Sequence, residues 1–105
     1  LGAQSRRSQV DFIAELLGDH PHAVLMGDFN CDPDRPEMQA LYRHTRLQPP
    51  ATCVPTFPSW KPRRAIDHVL VTPALRVAMM QAMPAALSDH LALSVELDVP
   101  ERAFE

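Results

Sequence analysis

The chain has 105 residues, of which 46% are hydrophobic and 22% charged, and its formal net charge is −3. This length fits one small domain, and the composition is that of a globular protein rather than a disordered or fibrous one. The sequence pI of about 5.9 excludes the strongly basic surface that a general nucleic-acid binder needs.

The cysteines and the first residues bear on the cellular compartment. Cys31 and Cys53 form neither a disulfide framework nor a zinc-binding spacing, so we expect two reduced thiols. No apolar run is long enough to cross a membrane, and residues 1–4 show no basic or apolar leader pattern. We expect a soluble fragment of a longer protein, with the cytoplasm as the default compartment.

The first half of the chain predicts a helix, a strand and a second helix. An apolar face at helical spacing predicts a helix over residues 6–17, with Ser5 as N-cap and Gly18 as the stop signal. The continuous apolar run at 23–26 predicts a strand buried on both faces. The second helix is predicted over 35–43.

The start of the second helix has its own signals. Asp34 and Glu37 form an Asp-x-x-Glu capping arrangement, and Pro36 suits a first turn. The inner face of this helix is expected to contain Met38, Leu41 and Tyr42.

The second half of the chain predicts strands. Residues 47–62 are expected to be irregular because their prolines exclude a regular helix. Strands are predicted over 65–71, 75–82 and 91–97, and the short connections between them favour antiparallel neighbours. The fold class is therefore α/β or α+β. The strand at 65–71 is expected to have one face formed by Ile66, His68 and Leu70, and the other by Asp67, Val69 and Val71.

Polar side chains gather at three places, the first at the end of the buried run. Asp28 stands there, with Asn30 two residues on. In an extended segment this spacing places both side chains on one side, where an acid and an amide suit a phosphate site. An Asx-turn explains the same pair equally well, so both interpretations stay open.

A calcium-binding EF-hand loop is a third interpretation of the same segment. Asp28, Asn30 and Asp32 match its first three ligand positions. Pro33 stands in place of the required glycine and Gln39 in place of the closing glutamate, so we reject it.

The second polar position is Asp67, which lies in a strand of largely apolar neighbours and therefore needs a specific partner. A histidine is one candidate, which Asp67 would orient and make more basic. Arg63 and Arg64 are the alternative. His68 falls on the opposite face, and we expect a packed or surface histidine.

The third position is the Asp89-His90 pair before the last strand. In an extended chain the two side chains point in opposite directions, one towards a metal and the other towards the nucleophilic water. A polar turn explains the pair taken alone.

Together, Gly27-Asp28-Phe29-Asn30, Ile66-Asp67-His68-Val69-Leu70 and Ser88-Asp89-His90 resemble the motifs of the endonuclease/exonuclease/phosphatase superfamily. Arg6-Arg7-Ser8-Gln9 and Thr56-Phe57-Pro58-Ser59-Trp60 also resemble family members. The resemblance spans residues 6–97 and implies a four-layer α/β/β/α sandwich related to deoxyribonuclease I. Residues 1–105 would be its C-terminal half, with one mixed sheet and helices on one face.

The resemblance implies hydrolysis of a phosphate ester by in-line attack of water, with Mg²⁺ or Mn²⁺ stabilising the growing charge. Asp28 would orient or deprotonate the water or protonate the leaving group, and Asn30 would hold the phosphate. His90 would contact the phosphate or act as the acid/base, Asp67 would fix its tautomer, and Asp89 would serve the metal.

The substrate is left open by these motifs: a nucleic acid, a phosphoinositide, a phospholipid or a nucleotide is compatible with them. Arg63 and Arg64 are candidates to meet substrate phosphates, although solvated loop charges explain them equally well. We expect Trp60 to pack on the core.

The sequence also departs from the family pattern. Ala92 stands where family members often have proline. The Asn and Glu that hold the main metal in the family lie in the half that is absent here. We therefore expect a partial active site that binds metal poorly, and a chain stabilised by the N-terminal half or by a second copy. A non-catalytic fragment or interaction module that keeps the fold is the alternative.

Overall fold

The structure of the chain, a computed structural model, describes residues 3–101, with side chains from residue 7 onward. Its elements are, in chain order, α1 (Ala3–Leu17), β1 (Val24–Asp28), α2 (Pro36–His44), β2 (Asp67–Val71), β3 (Arg76–Met83) and β4 (Ala92–Asp98). Every predicted helix and strand is present, which confirms the α/β class. The side chains of Ser5 and Arg6 lie outside the described part, as do residues 102–105.

The strands pair two by two, not in the single mixed sheet that we expected. β1 is antiparallel to β2, and β3 is antiparallel to β4. The free edge of β2 is occupied by an irregular segment, because Gln48 exchanges backbone hydrogen bonds of 2.8 and 3.1 Å with Val71. β3 therefore finds its partner in β4, across the short connection that favours antiparallel neighbours.

Two hydrophobic clusters lie on opposite faces of the β1–β2 pair. The first joins Leu70 to Val10 of α1 and Met38 of α2. The second joins Val69 and Val71 to the apolar face of β3 and β4. Since alternate residues of a strand point to opposite faces, this confirms the alternation predicted for residues 65–71. The helices form one layer, β1–β2 the middle layer and β3–β4 the third.

The end of α1 lies where the sequence predicts it. Gly18 has a φ of 52°, a left-handed conformation that glycine adopts at little cost. Its N–H donates to the carbonyl oxygen of Ala14 at 3.1 Å. Ser5 is not the N-cap, because helical backbone already begins at Ala3.

The capping box predicted for α2 is not formed. The N-cap residue is Arg35, which makes no side-chain cap hydrogen bond, so Asp34 lies one residue too early to cap this helix. Pro36 occupies the first turn as predicted, and Met38 and Leu41 are buried.

β1 is less buried than its continuous apolar run suggests. Val24 and Leu25 are half-buried, and Met26 is 64% exposed. The prediction that this strand is buried on both faces is therefore wrong. Cys31 and Cys53 are thiols, as predicted. Among the described residues, no helix combines the length and the apolar character that crossing a membrane requires.

Candidate active site

Two carboxylates lie opposite each other at one end of the β1–β2 pair. Asp28 is the last residue of β1, Asp67 is the first residue of β2, and the two are partners in the antiparallel register. Like charges at directly opposed positions of a sheet repel each other. This end of the pair therefore favours a bound cation or proton.

His90 completes the cluster from the turn before β4. Its Nδ1 lies 2.7 Å from Asp67 Oδ2, and its Nε2 lies 3.6 Å from Asp28 Oδ2. The side chains of His90 and Asp67 are 25% and 20% exposed. The partner of Asp67 is thus a histidine and not Arg64, whose Nε lies 3.6 Å from Asp32 Oδ2.

The contact with Asp67 changes the proton affinity of His90. The hydrogen bond that His90 Nδ1–H donates to Asp67 raises the pKa of His90 above its ordinary value of 6.5, against the opposing effect of burial. The negative charges of Asp67, Asp28 and Asp89 act in the same direction as the hydrogen bond. With Nδ1–H held by Asp67, Nε2 is left to donate a proton when His90 is charged and to accept one when it is neutral.

Thr56 anchors the same carboxylate and was not among the site residues predicted from the sequence. It is 0% exposed, and its Oγ1 donates to Asp67 Oδ2 at 2.5 Å. Its carbonyl oxygen accepts from the N–H of Leu91 at 2.8 Å, directly after His90. Its place in the Thr56–Trp60 resemblance is the one sequence signal that could have drawn attention to it.

The segment around Thr56 also supports the turn that carries His90. The N–H of Ser59 donates to the carbonyl oxygen of Asp89 at 2.7 Å, and its Oγ donates to the carbonyl oxygen of Ser88 at 2.9 Å. The ring of Phe57 lies 5.0 Å from the imidazole of His90. Three neighbouring residues thus hold the 88–91 segment in place.

Trp60 lies at the outer end of a tight turn, not on the core. Hydrogen bonds between the backbones of Phe57 and Arg64 close this turn, and Trp60 is 76% exposed. The prediction that it packs inside is therefore wrong. Arg63 is exposed in the same turn, and the structure places neither arginine against the carboxylates of β1 and β2.

The segment after β1 is a turn and not the extended chain expected from the Asp28–Asn30 spacing. Asn30 has a φ of 53°, and its N–H donates to Asp28 Oδ1 at 2.8 Å. The Asx-turn is therefore present. Because Asp28 Oδ2 is the oxygen near His90, the same carboxylate also takes part in the cluster.

His68 supports this turn from the opposite face of β2. It is 7% exposed, its Nε2 lies 2.7 Å from the carbonyl oxygen of Cys31, and its ring stacks on Phe29 at a centroid distance of 5.5 Å. Of the two possibilities predicted for His68, packed or on the surface, the structure shows the packed one.

Asp89 lies at the rim of the cluster. Its side chain is 64% exposed, and its Oδ1 lies 4.0 Å from His90 Nε2. The expectation that Asp89 and His90 point in opposite directions is wrong, because the chain turns here and the N–H of His90 donates to Ser88 Oγ at 3.1 Å.

The donor atoms of the cluster suit a divalent cation. Asp28, Asp67 and His90 each offer one ligand atom, and these atoms lie within 4.8 Å of one another. Carboxylate oxygens are preferred ligands of Mg²⁺ and Mn²⁺, and imidazole binds several transition metals. Since Asp67 Oδ2 already accepts two hydrogen bonds, Asp28 is the more open carboxylate, with Asp89 nearby.

The fold and these motifs define the class of the protein. Residues 2–90 match the endonuclease/exonuclease/phosphatase family model, so the chain belongs to this family. A comparison with curated proteins finds no significant match.

Solved structures share the fold of this chain. A functionally unknown conserved protein from Enterococcus faecalis superposes with a TM-score of 0.76 at 22% identity, over 95% of this chain and 46% of that one. A mannosyl-6-phosphatase from Bacteroides thetaiotaomicron gives a TM-score of 0.74 at 22% identity, over 93% and 47%. A family protein from Bacteroides vulgatus gives 0.76 at 22% identity, over 95% and 46%. The chain spans about half the length of these structures.

Proposed function

We propose that this chain supplies the proton-handling part of the active site of a divalent-metal-dependent hydrolase of phosphate esters. The observation that carries the proposal is the Asp67–His90 hydrogen bond of 2.7 Å, with the second imidazole nitrogen 3.6 Å from Asp28. Membership of the endonuclease/exonuclease/phosphatase family supports phosphate esters as the substrate class.

The contacts of Asp67, His90 and Asp28 support a role for each of them. Asp67 holds Nδ1–H of His90, so that Nε2 faces the open side of the cluster and meets the phosphate or moves a proton there. Asp28 lies beside that nitrogen and orients or deprotonates the attacking water, or protonates the leaving group. Asn30 is exposed next to Asp28 and holds the scissile phosphate.

The cation is proposed to be Mg²⁺ or Mn²⁺, held on this chain by the open carboxylates of Asp28 and Asp89. When bound, it stabilises negative charge that develops on the phosphate. The remaining ligands are proposed to come from the half of the domain that this chain does not contain.

A sugar phosphate joins the candidate substrates, because one protein of similar fold is a mannosyl-6-phosphatase. Arg63 and Arg64 are retained as proposed contacts to substrate phosphate groups. The net charge of −3 gives no general attraction to a polyanion, so recognition of a small phosphate ester is favoured over tracking along nucleic acid.

The test is hydrolysis of a phosphodiester and a panel of phosphomonoesters, including a hexose 6-phosphate, with Mn²⁺ or Mg²⁺. The intact protein is compared with its His90→Ala variant, and His44→Ala is the matched control because His44 is exposed at the end of α2. We expect His44→Ala to be fully active and His90→Ala to lose at least about a hundredfold in rate with an unchanged circular dichroism spectrum. Activity retained in His90→Ala rules out the role given to His90.

The same assay on residues 1–105 alone tests the proposal of a partial site. We expect this chain to be inactive where the intact protein is active. Full activity of residues 1–105 would contradict the assignment of further metal ligands to another part of the protein.

A non-catalytic interaction module is the second candidate, and the exposed apolar side chains favour it. Phe12, Leu16 and Met26 are 65%, 74% and 64% exposed. Large exposed apolar side chains are characteristic of surfaces that bind a partner. An intact protein that hydrolyses no ester and binds no metal would support this candidate over the hydrolase.

A further inference from the structure

We propose that Thr56 is a positioning residue, which fixes the orientation of His90 by holding the carboxylate of Asp67. The proposal rests on the proposed hydrolase function and adds a residue that touches neither substrate nor the reactive nitrogen of His90. Thr56 lies in the irregular chain between α2 and β2.

The first argument is that Thr56 and His90 converge on a single oxygen. Asp67 Oδ2 lies 2.5 Å from Thr56 Oγ1 and 2.7 Å from His90 Nδ1. A carboxylate held by one hydrogen bond can still rotate about its side-chain bonds. Two donors arriving from different segments of the chain define the position of this oxygen, and with it the direction in which Nδ1–H of His90 points.

The second argument is that the hydroxyl of Thr56 is enclosed. Thr56 is 0% exposed, so its hydroxyl has no access to bulk water and the bond to Asp67 satisfies it. Leaving a buried carboxylate oxygen or hydroxyl without its partner costs considerably more than an exposed hydrogen bond is worth. The β-branched side chain of threonine is also restricted in its χ1 rotation, which suits a fixed donor.

The third argument is that the backbone of Thr56 is tied to the same turn as His90. Its carbonyl oxygen accepts from the N–H of Leu91 at 2.8 Å, and its own N–H donates to the carbonyl oxygen of Arg64 at 3.0 Å. One residue therefore holds Asp67 with its side chain and the neighbour of His90 with its backbone. Asp67 and the turn that carries His90 are thus both anchored to Thr56.

Thr72 provides a matched control for a threonine that only stabilises the fold. It is 2% exposed, its Oγ1 donates to the carbonyl oxygen of Pro21 at 2.7 Å, and it accepts from the N–H of Ala23 at 3.0 Å. Both threonines bury a hydrogen-bonded hydroxyl, but only the hydroxyl of Thr56 bonds to a site carboxylate.

The experiment compares Thr56→Val, Thr56→Ser and Thr72→Val in the intact protein. Valine keeps the shape of threonine and removes the donor, whereas serine keeps the donor. For the ester hydrolysed fastest, we expect Thr56→Val to lose about tenfold or more in kcat, with a much smaller change in KM, and Thr56→Ser to stay near the wild-type rate. Thr72→Val should lower the melting temperature and leave kcat unchanged.

Two kinetic outcomes overturn the proposal. One is a wild-type kcat in Thr56→Val, since the donor would then be dispensable. The other is an equal loss in Thr56→Ser and Thr56→Val, because packing of the missing methyl group, and not the hydroxyl, would then explain both.

A second measurement separates this proposal from the hydrolase function. In protein labelled with ¹⁵N-histidine, a His90 Nδ1–H held by Asp67 exchanges slowly with water and gives a downfield proton resonance. We expect this resonance in the wild type, Thr56→Ser and Thr72→Val, and its broadening or loss in Thr56→Val. Identical resonances in Thr56→Val and the wild type, or no resonance in the wild type, overturn the positioning role. Loss in Thr56→Val alone, in a protein that hydrolyses no ester, supports positioning and refutes only the hydrolase function.

Discussion

Replacement of Asp67 by asparagine removes the charge of the cluster's central carboxylate while keeping its size. Asp67 Oδ2 accepts from Thr56 Oγ1 and from His90 Nδ1. An asparagine whose amide oxygen occupies this position can still accept both bonds. An asparagine turned the other way presents its NH₂ group to His90 and forces the proton onto Nε2, the nitrogen near Asp28.

The expected loss follows from these two orientations. Hydrogen bonds to charged groups contribute about 1.5–3 kcal/mol, against about 0.5–1.5 kcal/mol for neutral ones, and the difference corresponds to about tenfold in rate. Reversal of the histidine tautomer costs far more, about 10⁴-fold in the serine protease triad, where the equivalent change has been characterised. We therefore expect kcat of Asp67→Asn to fall between about 10-fold and 10⁴-fold.

The assay is steady-state hydrolysis by the intact protein, with Asp98→Asn as the matched control. Asp98 makes an exposed ion pair with Arg76 at 2.5 Å, with side chains 57% and 76% exposed, so the same chemical change there should leave kcat unaltered. Circular dichroism should report folded protein for both variants. A loss of less than about threefold in Asp67→Asn would refute the argument that the charge of this carboxylate holds His90.

Two further predictions concern stability and use urea unfolding of the metal-free protein. The hydrogen bond that His90 donates to Asp67 raises the pKa of His90 above 6.5. Its contribution to stability is therefore fully present below about pH 6.5 and is lost as the pH rises through the folded-state pKa. Above about pH 6.5, the free energy of unfolding of the wild type should therefore fall relative to that of His90→Gln. Parallel pH profiles of the two proteins would contradict the raised pKa of His90. Leu70 of β2 is 0% exposed and packs against the two helices, so Leu70→Ala should lower the free energy of unfolding by about 2–5 kcal/mol. Leu16→Ala, at a side chain that is 74% exposed, should change it by less than about 0.5 kcal/mol, and equal losses in the two variants would contradict the assigned core.

Periodicity was sufficient to predict the elements that bury one face. The alternation of β4 follows from side-chain polarity, since a wrong register would bury polar groups. Both faces of β2 are buried beyond Asp67, and only the two-residue period of a strand separates them. The stop of α1 at Gly18 is equally local, because it depends on the backbone freedom of one residue. The cap of α2 failed because a helix start can slide by a residue when no side chain fixes it.

Long-range pairings were beyond the reach of such patterns. Nothing local indicates that Gln48 takes the free edge of β2, and the expectation of one mixed sheet came from the family resemblance. The partner of Asp67 was open between a histidine and two arginines on the residues alone, and the family resemblance pointed to His90. The contact of Thr56 with Asp67 was harder still to predict, because a hydroxyl has many acceptable partners and its sequence position does not reveal which one it bonds to.

The pairing of Asp28 with Asp67 on one rung of the β1–β2 ladder means that the site is encoded in strand length as well as in residue identity. A one-residue deletion inside either strand would exchange the faces of the residues that follow or precede it. A deletion inside β2 that leaves Val71 in register would turn Asp67 towards the helix layer and bring the apolar side chain of Ile66 to its place at the mouth of the cluster. Residues 51–53 of the irregular segment between α2 and β2 are exposed and lie outside this constraint, so insertions there would leave the site intact. A search for the five polar residues alone would not distinguish a deletion inside a strand from an insertion in the loop, whereas counting the residues along β1 and β2 would. These five residues are Asp28, Asn30, Asp67, Asp89 and His90.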